Sequence, residues 1–343
     1  MSQFRTPVEI QRMPNQTGYR HKNLFIGSCF TENIGDAMEL LGYNVDINPF
    51  GILYNPVSIS KCILRLVDGK PFDVSELIKH NGLWHSYMHH GRFSDETSEA
   101  ALHKIDSRLL QSSQSIREAG FLFITLGTAW IYELKTTGEV VSNCHKVPAK
   151  EFRRFRITVG ETVEALRNAL DVAWSVNPEL RVVLTVSPIR HTSDGAIENQ
   201  LSKSTLLLAA DALVKGYGPD RCYYFPSYEL VMDELRDYRF YAEDMVHLSN
   251  VAIQFIWKKF EEAAIDKESR GISEKVAAIN RALEHRPFNR VTPEHLNFLE
   301  NTLTKVLYLS SNFPYIKLEK QKQILVDEIE YIRKVLQVKI MND

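Results

Sequence analysis

The sequence has few cysteines, and they are widely spaced. Its 343 residues include four cysteines, none of which forms a CxxC pair. That spacing excludes both the disulfide framework of a small secreted domain and a zinc knuckle. We therefore expect Cys29, Cys62, Cys144 and Cys222 to be free thiols.

Long hydrophobic runs are also absent. No window approaches the roughly 20 apolar residues that a membrane-spanning helix requires, and the first 23 residues contain no apolar stretch of signal-peptide length. The sequence therefore predicts a cytoplasmic protein with no membrane partner.

Neither sign of charge is in excess. The chain has 41 Lys and Arg against 43 Asp and Glu, a net charge of −2 and a hydrophobic fraction of 44%. These are ordinary globular values and do not favour nucleic acid as a partner. At roughly 100–200 residues per domain, the length predicts one large domain with an appendage. No internal repeat or low-complexity segment is present.

Residues 23–36 place a serine between a predicted strand and a predicted helix. The short apolar run before Gly27 is typical of a fully buried strand, and a helical pattern begins shortly after it. In open α/β sheets such a turn lies at the carboxyl edge, where ligands bind. Ser28 is therefore a candidate nucleophile. Its neighbour Cys29 is a rival nucleophile at the helix N-terminus, although we favour the interpretation that it is a small buried residue.

A serine nucleophile needs a base and a group that orients the base. Asp244 and His247 are three residues apart, so both side chains face the same way in a turn or in the first turn of a helix. In this interpretation His247 is the general base and then the acid, and Asp244 stabilises its cation. In the alternative interpretation Ser28 is a turn serine, His247 a surface histidine and Asp244 a helix cap.

Several short motifs carry a resemblance to a known family. They are GSCF (27–30), LGTAWIY (126–132), SNCHK (142–146), SPIRH (187–191), FPSYELVMDELRDYRFY (225–241) and DMVH (244–247). With these motifs, over about residues 20–260, the sequence resembles the GSCFA domain family, a branch of the SGNH/GDSL-like hydrolases. The resemblance implies an esterase-like hydrolase with a Ser-Asp-His triad and no cofactor. It also implies a three-layer αβα, flavodoxin-like fold with strand order 2-1-3-4-5.

The residue pattern by itself predicts an α/β fold. Strands alternate with helices, which favours a mostly parallel, five-stranded sheet covered on both faces. The predicted organisation is an N-terminal arm (1–22), a hydrolase domain (23–264) with a mainly helical insertion (57–117), and a C-terminal helical extension (265–343). We expect the extension to cap the hydrolase domain; in the alternative it mediates a homo-oligomer.

The resemblance further implies a set of donors for a developing oxyanion, each worth on the order of 10²-fold in rate. The amides of Ser28 and Gly51 correspond to two of these donors. The asparagine that the wider superfamily carries after the third strand is absent, because Gly127–Trp130 stands there. Asn143 is the first candidate to replace the missing asparagine as a donor, and Asn55 is the second. In the alternative interpretation both are turn-forming asparagines.

A histidine cluster lies in an aromatic-rich stretch of the insertion. His85 and His89 are four residues apart and, on a helix, would share a face as metal ligands do. No HExxH motif and no carboxylate at a fixed spacing accompany them, and Gly82 and Gly91 predict a loop between them, so no metal site is predicted. We expect these two residues and His90 to line the substrate pocket or, in the alternative, to pack as amphipathic rings.

Four further residues are candidate substrate contacts. Arg190 and His191 follow the fourth strand at the same sheet edge and suit a negatively charged group, although an arginine at a strand end also serves as a structural ion-pair partner. Asn55 and Trp130 complete the set. The sequence therefore predicts a serine ester hydrolase acting on an O-acylated carbohydrate or small metabolite. The alternatives are a non-catalytic ligand-binding protein and a scaffold.

Overall fold

The computed structural model describes residues 5–342, with side chains described for residues 5–338. Residues 1–4 of the predicted arm and residue 343 of the predicted extension lie outside the described residues. The chain forms two compact units. The first consists of the described residues up to Thr17, Lys22–Asp36 and Val45–Ala264, and the second of Gly18–His21, Ala37–Asn44 and the described residues from Ile265 onward.

The described residues contain ten β-strands and ten α-helices. The strands are β1 (Lys22–Gly27), β2 (Asn44–Ile47), β3 (Leu77–His80), β4 (Leu83–Ser86), β5 (Phe121–Leu126), β6 (Trp130–Leu134), β7 (Val140–Val141), β8 (Phe152–Arg156), β9 (Arg181–Val186) and β10 (Cys222–Tyr224). The helices are α1 (Cys29–Leu40), α2 (Pro56–Asp68), α3 (Ser98–Glu118), α4 (Val159–Val176), α5 (Gly195–Tyr217), α6 (Ser227–Glu229), α7 (Asn250–Ala264), α8 (Lys267–Glu284), α9 (Pro293–Asn312) and α10 (Glu319–Asn342).

The central sheet has five strands in the order β10-β9-β5-β1-β2. The pairs β1–β5, β5–β9 and β9–β10 are parallel. This confirms the α/β fold and the five-stranded parallel sheet that the sequence predicts. Numbered by themselves along the chain, the five strands read 2-1-3-4-5, the order that the resemblance implies.

Both faces of the sheet are covered, which explains why its strands are nearly continuous apolar runs. Because successive side chains of a strand point to opposite faces, Leu24 and Ile26 belong to a buried cluster that includes residues of α2, α4 and α5. Between them, Phe25 points the other way and stacks on Phe123 at 4.5 Å between ring centroids. Phe123 in turn contacts Phe260 of α7 at 5.5 Å. Helices therefore lie on both sides of the sheet.

The insertion is helical at its ends, in α2 and α3, but its middle is a hairpin. Strands β3 and β4 pair antiparallel, with Leu77 opposite Ser86. The two residues between them, Asn81 and Gly82, have φ of 47° and 81°. Positive φ at both positions is the pattern of a type I′ turn, for which Asn-Gly is the preferred pair. The aromatic-rich stretch therefore lies partly on a strand, where the sequence analysis placed a loop.

The second unit combines the C-terminal helices with two short earlier segments. The Tyr19 and Tyr43 rings stack at 3.9 Å, and the Tyr43 hydroxyl lies 2.6 Å from Ser273 Oγ of α8. On α9, Val306 is fully buried, whereas the adjacent Leu307 is 46% exposed. The described part of the chain has no helix that is both long and apolar enough to span a membrane.

Candidate active site

Ser28 occupies the turn between β1 and α1, at the carboxyl end of the sheet. Gly27 before it has φ of +151°, and a Cβ atom there would lie 2.3 Å from the Thr125 carbonyl oxygen, so the position requires glycine. Ser28 is 1% exposed, and its Oγ atom has no hydrogen-bond partner among the described residues. A buried hydroxyl without a partner is uncommon and calls for an explanation.

Asp244 and His247 form a hydrogen-bonded pair on a loop closed by a bridge between Tyr241 and Leu248. Asp244 Oδ1 accepts hydrogen bonds from the backbone amides of Val246 (2.9 Å) and His247 (2.8 Å). Its Oδ2 lies 2.6 Å from His247 Nδ1. The two side chains are 52% and 55% exposed.

The hydrogen bonds of the pair fix the protonation state of the Asp244 carboxylate. The hydrogen bond from His247, with help from the two amides, lowers the pKa of Asp244 to about 2, so the carboxylate is ionised at neutral pH. An ionised carboxylate accepts a hydrogen bond from Nδ1–H of the imidazole. In the neutral ring this leaves the lone pair on Nε2, which has no hydrogen bond among the described residues, as the basic site.

The segment after β9 contacts the loop that carries His247. Arg190 Nη2 donates a 3.3 Å hydrogen bond to the Tyr241 hydroxyl, and its guanidinium lies over the same ring. His191 packs edge-on against Tyr54. Burial lowers the pKa of His191 to about 4, and the charge of His247 contributes to this shift. The structure thus brings Arg190 and His191 near the Asp244–His247 loop. It shows no hydrogen bond between His247 and Ser28.

The two backbone amides proposed as oxyanion donors are engaged in main-chain hydrogen bonds, and the two candidate asparagines use their side-chain oxygens in local hydrogen bonds. The Ser28 amide donates to the Thr125 carbonyl at 3.2 Å, and the Gly51 amide to the Asn48 carbonyl at 2.8 Å. The side-chain oxygen of Asn143 accepts from the His145 amide in a turn, and that of Asn55 caps α2 by accepting from the Ser58 amide. The two backbone amides would have to exchange these bonds to reach an oxyanion.

The histidines of the insertion are held in internal hydrogen bonds. His85 Nδ1 lies 2.6 Å from Ser94 Oγ, and His90 Nδ1 accepts a bond from the backbone amide two residues later. His89 stacks on Phe50 at 4.3 Å, and burial lowers its pKa to about 3. No three His, Cys, Asp or Glu side chains of residues 5–338 are grouped so that they could hold a metal ion.

Trp130 begins β6, close to the third strand of the central sheet. The Arg154 guanidinium lies over its ring at 4.4 Å and forms two 2.6 Å bonds to the Asp194 carboxylate. The indole N–H is buried and has no acceptor among the described residues.

Sequence reasoning missed a residue of α5. Lys203 is fully buried, and its charge acts on Cys29 and on His191. The only sequence signal is that this lysine is the one charged residue in the otherwise uncharged stretch 201–210. Such a pattern also fits a surface lysine, so only the structure shows that Lys203 is buried.

Comparison with known proteins identifies the family. The GSCFA family model matches residues 22–260, and a model described as GSCFA domain protein, C-terminal domain, matches residues 276–337. No curated protein matches the chain. Among solved structures, the chain is similar to an acetyl xylan esterase (Est2A) from the rumen bacterium Butyrivibrio proteoclasticus, with 10% identity and a TM-score of 0.35. The similarity covers 72% of this chain and 64% of that one, less than two thirds of the esterase's length.

Proposed function

This chain belongs to the GSCFA family, and from that premise we propose that it is a serine ester hydrolase of the SGNH/GDSL type. Ser28 is the nucleophile, His247 the general base and Asp244 the residue that orients the histidine. The proposed substrates are O-acyl esters of carbohydrates or of small metabolites, and the chemistry requires no cofactor.

The observation that carries this proposal is the Asp244–His247 pair. A carboxylate 2.6 Å from Nδ1 selects one tautomer of the imidazole and stabilises the cation that forms when Nε2 takes a proton. The two backbone amides hold the carboxylate in place. This geometry holds the imidazole in the orientation and tautomer that a general base requires.

The reaction proceeds in two acyl-transfer steps. Ser28 Oγ attacks the ester carbonyl carbon while its proton passes to His247 Nε2, and the carbonyl π electrons move to the oxygen. The tetrahedral intermediate collapses, the C–O bond to the alcohol breaks, and His247 returns the proton to the departing oxygen. A water molecule then repeats the sequence on the acyl-serine, releasing the acid and restoring Ser28.

The proposed mechanism requires a hydrogen bond between Ser28 Oγ and His247 Nε2. Catalytic hydrogen bonds are often long without substrate and tighten in the reactive complex. Both atoms lack other hydrogen-bond partners among the described residues, and the His247 loop is exposed. We propose that substrate binding brings the loop and the Ser28 turn together.

A second candidate function is non-catalytic ligand binding on the same fold. It is favoured by the burial of Ser28 and by the main-chain bonds that engage the amides of Ser28 and Gly51. A protein of this kind would bind an acylated ligand without cleaving it.

Hydrolysis of an ester panel separates the two candidates. We expect the parent protein to release acid from p-nitrophenyl acetate or from acetylated sugars, and Ser28→Ala to lose this activity. Ser175→Ala, which changes an exposed serine of α4, is the matched control and is expected to keep it. Binding without hydrolysis in both the parent and Ser28→Ala would support the non-catalytic function. Loss of activity in Cys29→Ala but not in Ser28→Ala would assign the nucleophile to the thiol.

A further inference from the structure

Lys203 is an unusual cation. Among the described side chains it is the one lysine or arginine that is buried, with no exposed surface. Lysine is almost never fully buried unless it is paired. Yet no carboxylate of the described residues forms an ion pair with Lys203, so burial of this charge is not compensated by a counterion.

The ammonium group is held at the carboxyl ends of two neighbouring strands. Lys203 Nζ donates to the Gly127 carbonyl and to the Ser187 carbonyl, each at 2.7 Å. Gly127 follows β5 and Ser187 follows β9 directly, so the charge lies at the edge of the sheet where Ser28 follows β1. Two of the three N–H groups are used, and the third has no acceptor among the described residues.

The charge of Lys203 acts on the candidate active site. Burial lowers its own pKa to about 7, and it interacts with the Cys29 thiol beside Ser28. Burial raises the pKa of Cys29, and the positive charge of Lys203 opposes that rise. On the other side, the same charge adds to burial in lowering the pKa of His191. The pKa shifts of Cys29 and His191 thus both include a contribution from the charge of Lys203.

We propose that Lys203 is a positioning residue of the ester hydrolase, whose ammonium makes the Ser28–Cys29 turn electropositive and thereby stabilises the negative charge that develops when Ser28 attacks. The inference rests on the proposed function. Charges fixed in a buried site act strongly on a transition state because they need not reorganise. The ammonium transfers no proton. It offsets the oxyanion charge that the amides of Ser28 and Gly51, bonded to carbonyls, do not neutralise in this conformation.

The first test measures the charge at the turn without any substrate. Iodoacetamide alkylation of Cys29, followed across pH by peptide mass spectrometry, reports how readily an anion forms beside Ser28. At pH 6, where Lys203 carries its charge, we expect Lys203→Met to slow this alkylation by about tenfold, whereas above pH 8, where Lys203 is neutral, the variant and the parent should react at similar rates. Lys215→Met is the matched control, because Lys215 lies on the same helix with its side chain 75% exposed and paired with Asp211; it should leave the profile unchanged.

The second test measures ester hydrolysis. Loss of one stabilising group in such a site lowers kcat by about 10²-fold, and we expect this in Lys203→Met, with a much smaller change in KM. In the parent protein kcat should fall above about pH 7, where Lys203 loses its proton. Lys203→Arg keeps its charge at every accessible pH and should show no such fall. If Lys203→Met does not fold, the pH profiles of kcat for the parent and for Lys203→Arg still test the inference.

The outcomes distinguish failure of this inference from failure of the proposed function. Ester hydrolysis that depends on Ser28 but has the same kcat and pH profile in the Lys203 variants would overturn the role of Lys203 alone. An unchanged Cys29 profile in Lys203→Met would overturn it whether or not esters are cleaved. A parent protein that hydrolyses no ester would remove the proposed function, whereas a shifted Cys29 profile would still support a positive charge at the turn.

Discussion

Gly27 determines where the Ser28 hydroxyl lies. Its φ is +151°, and a side chain at this position would bring its Cβ within 2.3 Å of the Thr125 carbonyl oxygen, which leaves no room for another residue type. We expect Gly27→Ala to destabilise the protein by roughly 3 kcal/mol, through backbone strain and the clash with β5. The free energy of unfolding in urea measures this.

The control for this prediction is another glycine. Gly216 lies in α5 outside the positive-φ region, and the nearest atom to a Cβ there would be 3.7 Å away. Gly216→Ala should leave stability unchanged or raise it by about 0.5–1 kcal/mol, because alanine favours helix. If both alanine variants were equally stable, the strained turn at Ser28 would be contradicted.

Asp244 is the residue whose substitution best separates chemistry from folding. In Asp244→Asn the side-chain oxygen still accepts the two amide bonds, but the ionised partner of His247 Nδ1 is lost. We expect kcat to fall by up to about 10⁴-fold, while Tm changes little because the side chain is half exposed.

Asp237→Asn provides the matched comparison for Asp244→Asn. Asp237 caps the short turn before the same loop by accepting from the Arg239 amide, and it has no histidine partner among its described contacts. We expect its asparagine variant to keep the parental kcat. Equal loss in both variants would indicate that the loop, rather than the His247 partner, was disturbed.

At the level of elements, the β3–β4 insertion is predicted to be sensitive to acid. His89 is buried against Phe50, and its pKa is lowered from the ordinary 6.5 to about 3. Above about pH 6.5 this histidine is neutral both folded and unfolded. Below it, the unfolded chain binds a proton that the folded chain does not, so stability falls as pH decreases toward 3. At pH 5 the loss is about 2 kcal/mol.

Denaturation at pH 7.5 and pH 5 measures this effect. His89→Phe keeps an aromatic ring against Phe50 and removes the titrating group. We expect the difference in unfolding free energy between the two pH values to be smaller in the variant than in the parent. The same difference in both proteins would show that protonation of His89 does not destabilise the fold.

The elements also show how far sequence reasoning reaches. The central strands were predictable because strands buried on both faces are continuous apolar runs, as in β5 and β9. The Asn81-Gly82 turn was predictable too, since Asn-Gly between two strand-like segments is a strong hairpin signal. The histidines and aromatic residues around it instead favoured the prediction of a loop. Strand β8, with exposed arginines, carried no such signal.

At the level of the whole molecule, the candidate site is assembled from distant parts of the chain. The motifs at Ser28 and His247 were visible in the sequence because short patterns identify a family. The Lys203 site was not, because its burial and its two carbonyl partners exist only after β5, β9 and α5 have packed. Likewise, the engaged amides of Ser28 and Gly51 follow from tertiary contacts. Self-association through the C-terminal helices stays a prediction.

Covalent labelling of the intact protein tests the central claim most directly. A fluorophosphonate reacts with a serine that a neighbouring base has activated, and peptide mapping identifies the serine. We expect one adduct on Ser28 in the parent protein, a much slower reaction in Asp244→Asn, and none at that position in Ser28→Ala. An unlabelled Ser28 in a folded parent protein, or labelling at the same rate in Asp244→Asn, would contradict a Ser28 nucleophile activated by the Asp244–His247 pair.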